Sequence, residues 1–218
     1  MSFLINAHRS GAAPLAYPSL NFVTQVYSDG TTSVTLADCC SEPSARTASG
    51  LEIRPGNNVP FIIGSALTAA LASVGSSGTI VIDLTKYATF SNDIVMNDVA
   101  DSTEIFGIDL GNPITPTDMS QVYNYSSGGG SSTATSPNHI ASGAAKIAAS
   151  YSPSGVAISE NGSAVVTAST TLVSPAVPEQ ICLAGFGSGV IYSRYKCDIK
   201  AITFMSLQPN SALPALST

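Results

Sequence analysis

The sequence predicts an all-β protein built from antiparallel strands, and three observations lead to this prediction. Between residues 144 and 158, apolar residues alternate with small or polar ones, so one row of side chains faces a core. The Glu-Asn-Gly sequence at 160–162 supplies the positive φ angles that a tight hairpin turn requires. Short β-branched runs bounded by Gly, Pro or Asn recur roughly every 8–12 residues. This pattern is typical of an antiparallel meander, from which sandwiches, barrels and jelly rolls are built.

The strands follow in order along the chain. A first strand at 20–27 and a second at 32–36 are predicted on either side of a turn at 28–30. The later strands are equally short and are predicted at 79–84, 104–110, 144–167 (as a meander), 180–184, 190–195 and 198–205. Segment 65–74 differs, because its leucines and valine recur at helical spacing among strong helix formers. We expect one short helix there, at one end of the sandwich.

The predicted organisation is one domain preceded by an arm. The chain has 218 residues, a size at which an all-β sandwich commonly forms one unit, and no Pro/Gly-rich linker divides it into two patterned halves. Residues 1–19 lack steady periodicity but begin with apolar residues, which are costly to expose. This favours an extended arm that docks on a neighbouring subunit, although it could also lie across its own domain. The sandwich domain is then 20–218.

Charge and hydropathy exclude two classes of partner. The net charge is −6, and the eight basic residues are scattered, whereas nucleic-acid binding needs a cationic face. The mean hydropathy is +0.27, yet no run approaches the ~20 apolar residues of a membrane helix. We therefore expect neither nucleic-acid binding nor membrane insertion. The N-terminus does not have the pattern of a secretory signal. A surface with only 10% charged residues suits extracellular proteins and tightly packed assemblies.

Residues 112–138 form the longest low-complexity stretch, which we expect to be a flexible loop because it buries little apolar surface. Tyr123 and Tyr125 lie in it with Asn124 between them, and a spacing of two places both rings on one side of a strand. Aromatic rings stack on sugars and amides bind hydroxyl groups, so these three residues are the candidate ligand-binding residues. The chain has no Trp, which favours the alternative that the tyrosines pack at the sandwich edge.

The densest group of possible catalytic or ligating residues is acidic. It consists of Asp93, Asp98, Asp101, Glu104 and Asp109. A retaining glycosidase needs two carboxyl groups about 5–5.5 Å apart, but a spacing of three sends strand residues to opposite faces. Calcium binding by segment 92–104 is a second interpretation, and a solvated acidic loop is the favoured one. We therefore expect no catalytic residue, no metal and no cofactor.

The histidines and two of the cysteines allow structural interpretations. His8 and His139 lie in polar surroundings without a Gly-x-Ser-x-Gly sequence, so we interpret them as structural or exposed residues. Cys182 and Cys197 flank a predicted hairpin, and a disulfide bond between them is one interpretation. The favoured interpretation is that both cysteines are small, buried apolar residues.

Eight segments occur in an order that is typical of a known family. They are SLNF (19–22), ASGLEI (48–53), GSALTAAL (64–71), GTIVID (78–83), AKIAASY (145–151), VAISENG (156–162), AVVT (164–167) and CDIKAITF (197–204). The chain thereby resembles the concanavalin A-like and laminin G-like jelly-roll domains of phage tail fibres and other virion appendages. The resemblance begins at residue 19, runs to the C-terminus and is most specific over 144–204. It departs from the family at 204–209, where the proline is kept and the arginines are lost.

The resemblance implies a two-sheet antiparallel jelly-roll sandwich on a virus particle. The expected function is that of a non-enzymatic virion structural protein, such as a tail fibre, spike or head-decoration subunit, which assembles in the host cytoplasm and acts outside the cell. The expected partners are other virion proteins bound through residues 1–19, further copies of the chain (for example in a trimer), and host surface glycans. The alternatives are a secreted or surface-displayed bacterial lectin-like carbohydrate-binding module and a polysaccharide-degrading enzyme of the same fold.

Overall fold

Two antiparallel sheets pack face to face. The computed structural model describes residues 19–28, 33–35, 46–53, 61–62, 75–87, 93–97, 104–110, 119–125, 131–139, 142–169, 171, 180–183, 185–186, 190–191 and 197–218. Within them the predicted all-β two-sheet sandwich is confirmed. The helix predicted at 65–74 and residues 1–18 of the predicted arm lie outside the described residues, and Ser19 begins the first strand. No helix in the described ranges is long and apolar enough to cross a membrane.

The first sheet has ten strands among the described residues. They are β1 (Ser19–Asn21), β2 (Val26–Ser28), β3 (Ser33–Thr35), β4 (Arg46–Thr47), β5 (Gly50–Ile53), β7 (Gly78–Lys86), β12 (Gly143–Ser152), β13 (Gly155–Glu160), β14 (Val166–Ser169) and β18 (Cys197–Ser206). Their order is β14-β13-β12-β7-β18-β1-β2-β3, and β5 pairs with both β18 and β4.

The second sheet has six strands in the described part of the chain. They are β6 (Phe61–Ile62), β8 (Asp93–Asn97), β9 (Glu104–Asp109), β10 (Met119–Tyr125), β11 (Ser131–His139) and β15 (Gln180–Leu183). Their order is β11-β10-β9-β8-β15-β6. A separate hairpin pairs β16 (Gly185–Phe186) with β17 (Val190–Ile191).

The core lies between the two sheets and is built from every second residue of their strands. The first sheet contributes Ile80, Ile82, Leu84, Ile147, Ala149, Val156, Ile158, Ile202 and Phe204, and the second contributes Phe106, Ile108, Val122 and Ala134. The rings of Phe106 and Tyr151 meet across the sheets, 4.6 Å between centroids. Burial raises the pKa of the Tyr151 hydroxyl, which donates a hydrogen bond to the carbonyl of Gly75.

The hairpin turn predicted at 160–162 is confirmed. Asn161 and Gly162 have φ angles of 47° and 72°, as a two-residue turn between twisted strands requires. The turn is also fixed from the neighbouring strand, because the backbone N–H of Lys146 donates to the Asn161 side chain over 2.7 Å. Strand β14 then begins at Val166 rather than at Ala164.

Strand β18 keeps its core side chains inward by means of a β-bulge. Its pairing with β7 shifts between Ile199 and Ala201, so Lys200 is the extra residue. Ile199 and Ile202 are three apart and would otherwise face opposite sides, but each is 1% exposed. Cys197, at the start of the same strand, is fully buried. The side chain of Cys182 lies outside the described part of the structure, so a disulfide bond between the two cysteines stays an untested alternative.

The prediction of a single strand at 20–27 is wrong, because the segment forms two strands, β1 and β2, that pair with each other. The side-chain oxygen of Asn21 accepts hydrogen bonds from the backbone N–H groups of Val23 and Thr24, at 3.1 and 2.9 Å. This local turn competes with an extended strand. Gln25 completes the reversal with a φ angle of 58°.

The prediction of a flexible loop over 112–138 is also wrong for much of its length, because strands β10 and β11 lie within it and pair with each other. The inward-facing residues of β11 are small, namely Ser132, Ala134 and Ser136, and each is buried. Small side chains suit an edge strand that packs closely against β13 and β14 of the other sheet.

The C-terminal segment, for which no element was predicted, packs on the outer side of the first sheet. A 3-10 helix (Asn210–Ala212) leads into helix α1 (Leu213–Leu216). Leu213 is fully buried in a small second cluster with Val81, Ala148 and Ala157. The Ser217 hydroxyl accepts a hydrogen bond from the backbone N–H of Gly162, which ties the helix to the β13–β14 turn.

A buried ion pair within the first sheet is hydrogen-bonded to the second sheet. The Lys86 ammonium lies 2.8 Å from a carboxylate oxygen of Glu160, and both side chains are at most 1% exposed. The same ammonium donates a hydrogen bond to the Ser120 hydroxyl on β10, in the second sheet. Because removing one partner leaves a buried charge uncompensated, breaking such a pair costs far more than breaking an exposed one.

We predict that Glu160→Gln lowers the free energy of unfolding by about 3–5 kcal/mol, because it removes the charge that compensates Lys86. The double variant Lys86→Met/Glu160→Leu should regain at least half of that loss, since neither charge remains. Urea unfolding followed by circular dichroism measures both. Asp83→Asn is the matched control, because it breaks the partly exposed Lys200–Asp83 pair and should cost less than about 1 kcal/mol. Equal losses for Glu160→Gln and Asp83→Asn would contradict the prediction.

Candidate functional site

The outer face of the second sheet carries a group of polar residues and one aromatic ring. Along β9, β10 and β11 the even-numbered residues face the core, so the odd-numbered ones face outward. The outward residues are Gly107, Asp109, Gln121, Tyr123, Thr133 and Thr135, which we call the Tyr123 face. Thr133 is exposed, Gly107 is buried, and Asp109, Gln121, Tyr123 and Thr135 are partly exposed.

The ring of Tyr123 lies along the surface of the sheet. Tyr123 is paired with Gly107 on the adjacent strand. A Cβ atom on Gly107 would overlap the Cζ and Oη atoms of Tyr123, so the far end of the ring covers that glycine. Glycine therefore makes room for a ring that leans over the strand instead of standing away from it. The Tyr123 side chain is partly exposed, so part of its ring is open to solvent, although its hydroxyl oxygen is buried.

A row of hydrogen-bonding residues runs beside the ring, across three strands. Gln121 lies directly opposite Asp109 on β9 and Thr135 on β11. Asp93 on β8 is paired with Asp109, but its side chain lies outside the described part of the structure. Neighbouring strands are about 4.8 Å apart, so the three positions of the row span about 10 Å. The row offers carboxylate, amide and hydroxyl groups, the types that bind sugar hydroxyl groups.

The pairing of Asp93 with Asp109 was missed by sequence reasoning. The two residues are sixteen positions apart, and only the register of β8 and β9 brings them opposite each other. Residues 98–103 of the predicted acidic loop, and most of the candidate calcium segment with them, lie outside the described residues. Within the described ranges, no group of three or more His, Cys, Asp or Glu residues is placed to hold a metal ion.

The charge of the second sheet has one sign. Its six strands contain three acidic residues, Asp93, Glu104 and Asp109, and neither lysine nor arginine. Recognition of a carboxylate or phosphate group normally uses arginine or lysine. The described strands that carry the Tyr123 face therefore supply no lysine or arginine to an anionic ligand.

The three residues predicted to bind a ligand do not form one surface. Tyr123 faces outward, whereas Asn124 is 1% exposed and faces the core. The Asn124 side chain donates a hydrogen bond to the Ser152 carbonyl on β12, at 3.0 Å, and so connects the two sheets. Tyr125 ends β10 opposite Ser131, and its side chain is outside the described part of the structure. Asn124 therefore has a structural role, and Gln121 is the outward-facing amide residue beside Tyr123.

We predict that Gly107→Ala lowers the free energy of unfolding by about 1–3 kcal/mol, because the new methyl group displaces the Tyr123 ring. In a Tyr123→Ala background the same substitution should cost less, since the ring that it strikes is gone. A double-mutant cycle of urea unfolding measures the difference. Equal costs in the two backgrounds would show that the ring does not cover Gly107.

Comparison with known proteins supports the fold. No protein-family model and no curated protein matches the chain. A Trypanosoma rangeli sialidase has a TM-score of 0.56 at 10% identity, and the match covers 92% of this chain but 32% of the sialidase. The carbohydrate-binding module CBM40 of a Ruminococcus gnavus intramolecular trans-sialidase (IT-sialidase) has a TM-score of 0.54 at 14% identity, covering 77% of this chain and 96% of the module. A leech intramolecular trans-sialidase has a TM-score of 0.51 at 12% identity, and the match covers 76% of this chain and 27% of the leech enzyme.

The chain therefore spans about a third of the length of the Trypanosoma sialidase and nearly the whole of the CBM40 module. Because the sequence identities are only 10–14%, the structural similarity shows the fold alone. It places the chain among β-sandwich domains, in agreement with the concanavalin A-like jelly roll that the sequence resembles.

Proposed function

We propose that the protein is a non-enzymatic carbohydrate-binding module that holds a neutral glycan on the Tyr123 face. The single observation that carries the proposal is the Tyr123 ring lying along the sheet beside a row of polar residues. Such a ring stacks on the apolar side of a sugar, while Asp109, Gln121 and Thr135 are placed to bind its hydroxyl groups. The similarity to a CBM40 module adds support, because that domain is named for carbohydrate binding.

A neutral glycan fits this face better than sialic acid. Sialic acid carries a carboxylate, and the strands of the second sheet supply no lysine or arginine to pair with it. Asp109 would instead repel it, and the chain as a whole has a net charge of −6. The sialidase-related neighbours therefore do not determine the ligand of this chain. A row of about 10 Å suits an oligosaccharide more than a single sugar.

Hydrolysis is the second candidate, and the pairing of Asp93 with Asp109 is the observation that favours it. Two carboxyl groups on adjacent strands can approach the separation that retaining glycosidases use, about 5–5.5 Å. Hydrolysis also requires one of them to stay protonated as a proton donor. Binding requires only the ring and the polar row, so we propose binding without hydrolysis.

The proposal includes the setting that the sequence resemblance implies. The three structures reported above are not virion proteins, so a place on a virus particle rests on that resemblance alone. Docking through residues 1–19 and self-association rest on the same ground. A glycan-binding face is compatible with attachment to a host surface, and equally with a secreted or surface-displayed bacterial lectin-like module.

We predict that Tyr123→Ala reduces affinity for a neutral oligosaccharide at least tenfold, because it removes the stacking surface. Tyr123→Phe should keep affinity within about threefold of the unmodified protein, because the aromatic ring remains. A glycan array identifies the ligand, and titration calorimetry measures the affinities. Val23→Ala is the control, because Val23 is exposed on the hairpin of the first sheet, away from this face.

Two outcomes would contradict the proposed neutral ligand and the proposed absence of hydrolysis. One is preferential binding of sialyllactose over lactose, which would require a cationic group at the site. The other is release of new reducing ends from the bound glycan, with loss of that release in Asp109→Asn, which would identify a hydrolase. Binding that is unaffected by Tyr123→Ala would move the site elsewhere on the protein.

A further inference from the structure

A cleft lies on the opposite side of the sandwich, on the outer face of the first sheet. Its volume is about 660 Å³, within the range of small-molecule sites, roughly 300–1,000 Å³. Strands β12, β13 and β14 form its floor through residues such as Ser150, Ala157 and Thr167. Residues 207–210 of the C-terminal segment form one wall.

The lining of the cleft is polar and uncharged. Seven of its residues carry a hydroxyl or amide side chain, namely Ser150, Ser152, Ser154, Thr167, Ser169, Gln208 and Asn210, and none carries a charge. Thr167, Ser169 and Asn210 are exposed, and their side chains make no hydrogen bond to any residue in the described part of the chain. Their hydrogen-bonding groups are therefore available to a ligand.

The wall also offers an apolar surface. Leu207 is 49% exposed, and Pro209 lines the cleft beside it. Apolar groups on one side and hydroxyl groups on the other match a sugar, which has apolar CH groups on its ring face and hydroxyl groups around its edge. An uncharged lining favours a neutral ligand, because it has no counter-charge for an ion.

The wall is fixed before any ligand binds. The backbone N–H of Gln208 donates a hydrogen bond to the Thr79 hydroxyl on β7, at 2.9 Å. The Gln208 side chain donates a second bond to the Ser206 carbonyl, also at 2.9 Å. The buried Leu213 anchors the segment further along. A preformed site avoids the entropic cost of ordering a loop on binding.

We propose that this cleft is a second carbohydrate site, which binds one or two sugar units of a neutral saccharide. It goes beyond the function proposed above, because it uses the other sheet and none of the residues of the Tyr123 face. Two sites on opposite sides of one domain would allow a single molecule to bridge two glycan chains. Binding to a surface that displays many chains would then be strengthened by avidity.

The test uses the full chain, labelled with ¹⁵N, and four neutral disaccharides as probes: maltose, cellobiose, lactose and xylobiose. Amide chemical shifts are followed during each titration. For at least one probe we expect saturable shifts at 150–157, 167–169 and 207–210. These shifts should persist in Tyr123→Ala. They should weaken at least tenfold in apparent affinity in Thr167→Phe, in which the exposed threonine is replaced by a ring that fills the cleft.

Two further variants separate loss of the site from loss of the fold. Thr167→Ser keeps the hydroxyl group and should bind within about threefold of the unmodified protein. Asn210→Ala removes one amide at an exposed position and should weaken binding about three- to tenfold. Unchanged shifts elsewhere in each spectrum show that the fold is intact.

The outcomes distinguish the two proposals. Shifts confined to the Tyr123 face would overturn the second site and leave the proposed function standing. Shifts confined to the cleft would support the second site and overturn the role of Tyr123. Absence of shifts at the cleft with all four probes would overturn the second site, as would shifts that survive Thr167→Phe unchanged.

Discussion

The space between the two sheets is filled by every second side chain of the strands, and this packing limits where the protein can bind a ligand. Ile82, Val122 and Phe204 are at most 1% exposed, and burial of such groups supplies most of the free energy that holds a sandwich together. The buried ammonium of Lys86 adds a polar link between the sheets, with Glu160 as its counter-charge. Because the interior is occupied in the described part of the sandwich, both proposed binding surfaces lie on the outer faces of the sheets.

The alternation of inward and outward side chains along each strand explains which parts of the fold could be predicted from the sequence. Strands β7, β12 and β13 have large apolar residues on their inner side, so their sequences show a clear period of two. Strand β11 has only small residues on its inner side, and its sequence looks like a loop. Its pairing with β10 depends on the close approach of the other sheet, which no local pattern reveals. The short helix α1 depends in the same way on the contact of Leu213 with the first sheet.

The candidate site, too, could be predicted only in part from the sequence. The alternation that places Tyr123 outward also places Asn124 inward. Of these two predicted residues, Tyr123 is therefore on the outer face, whereas Asn124 hydrogen-bonds to the other sheet. The positions of Asp109, Gln121 and Thr135 in one row depend on strand register across three strands, which the sequence does not specify. The ring position of Tyr123 depends on Gly107, a residue of another strand. The cleft beside the C-terminal segment likewise brings together residues more than fifty positions apart.

The most direct test of this two-faced arrangement is solvent paramagnetic relaxation, measured with a neutral gadolinium chelate on protein labelled with ¹³C and ¹⁵N. The chelate broadens signals from groups that it approaches. The side-chain signals of Gln121 and Thr135 should broaden strongly, whereas those of Val122, Asn124 and Ala134 should be nearly unaffected. Strong broadening of Val122 and Asn124 with protection of Gln121 would place the other face of the strand outward. That result would contradict both the core and the binding face described here.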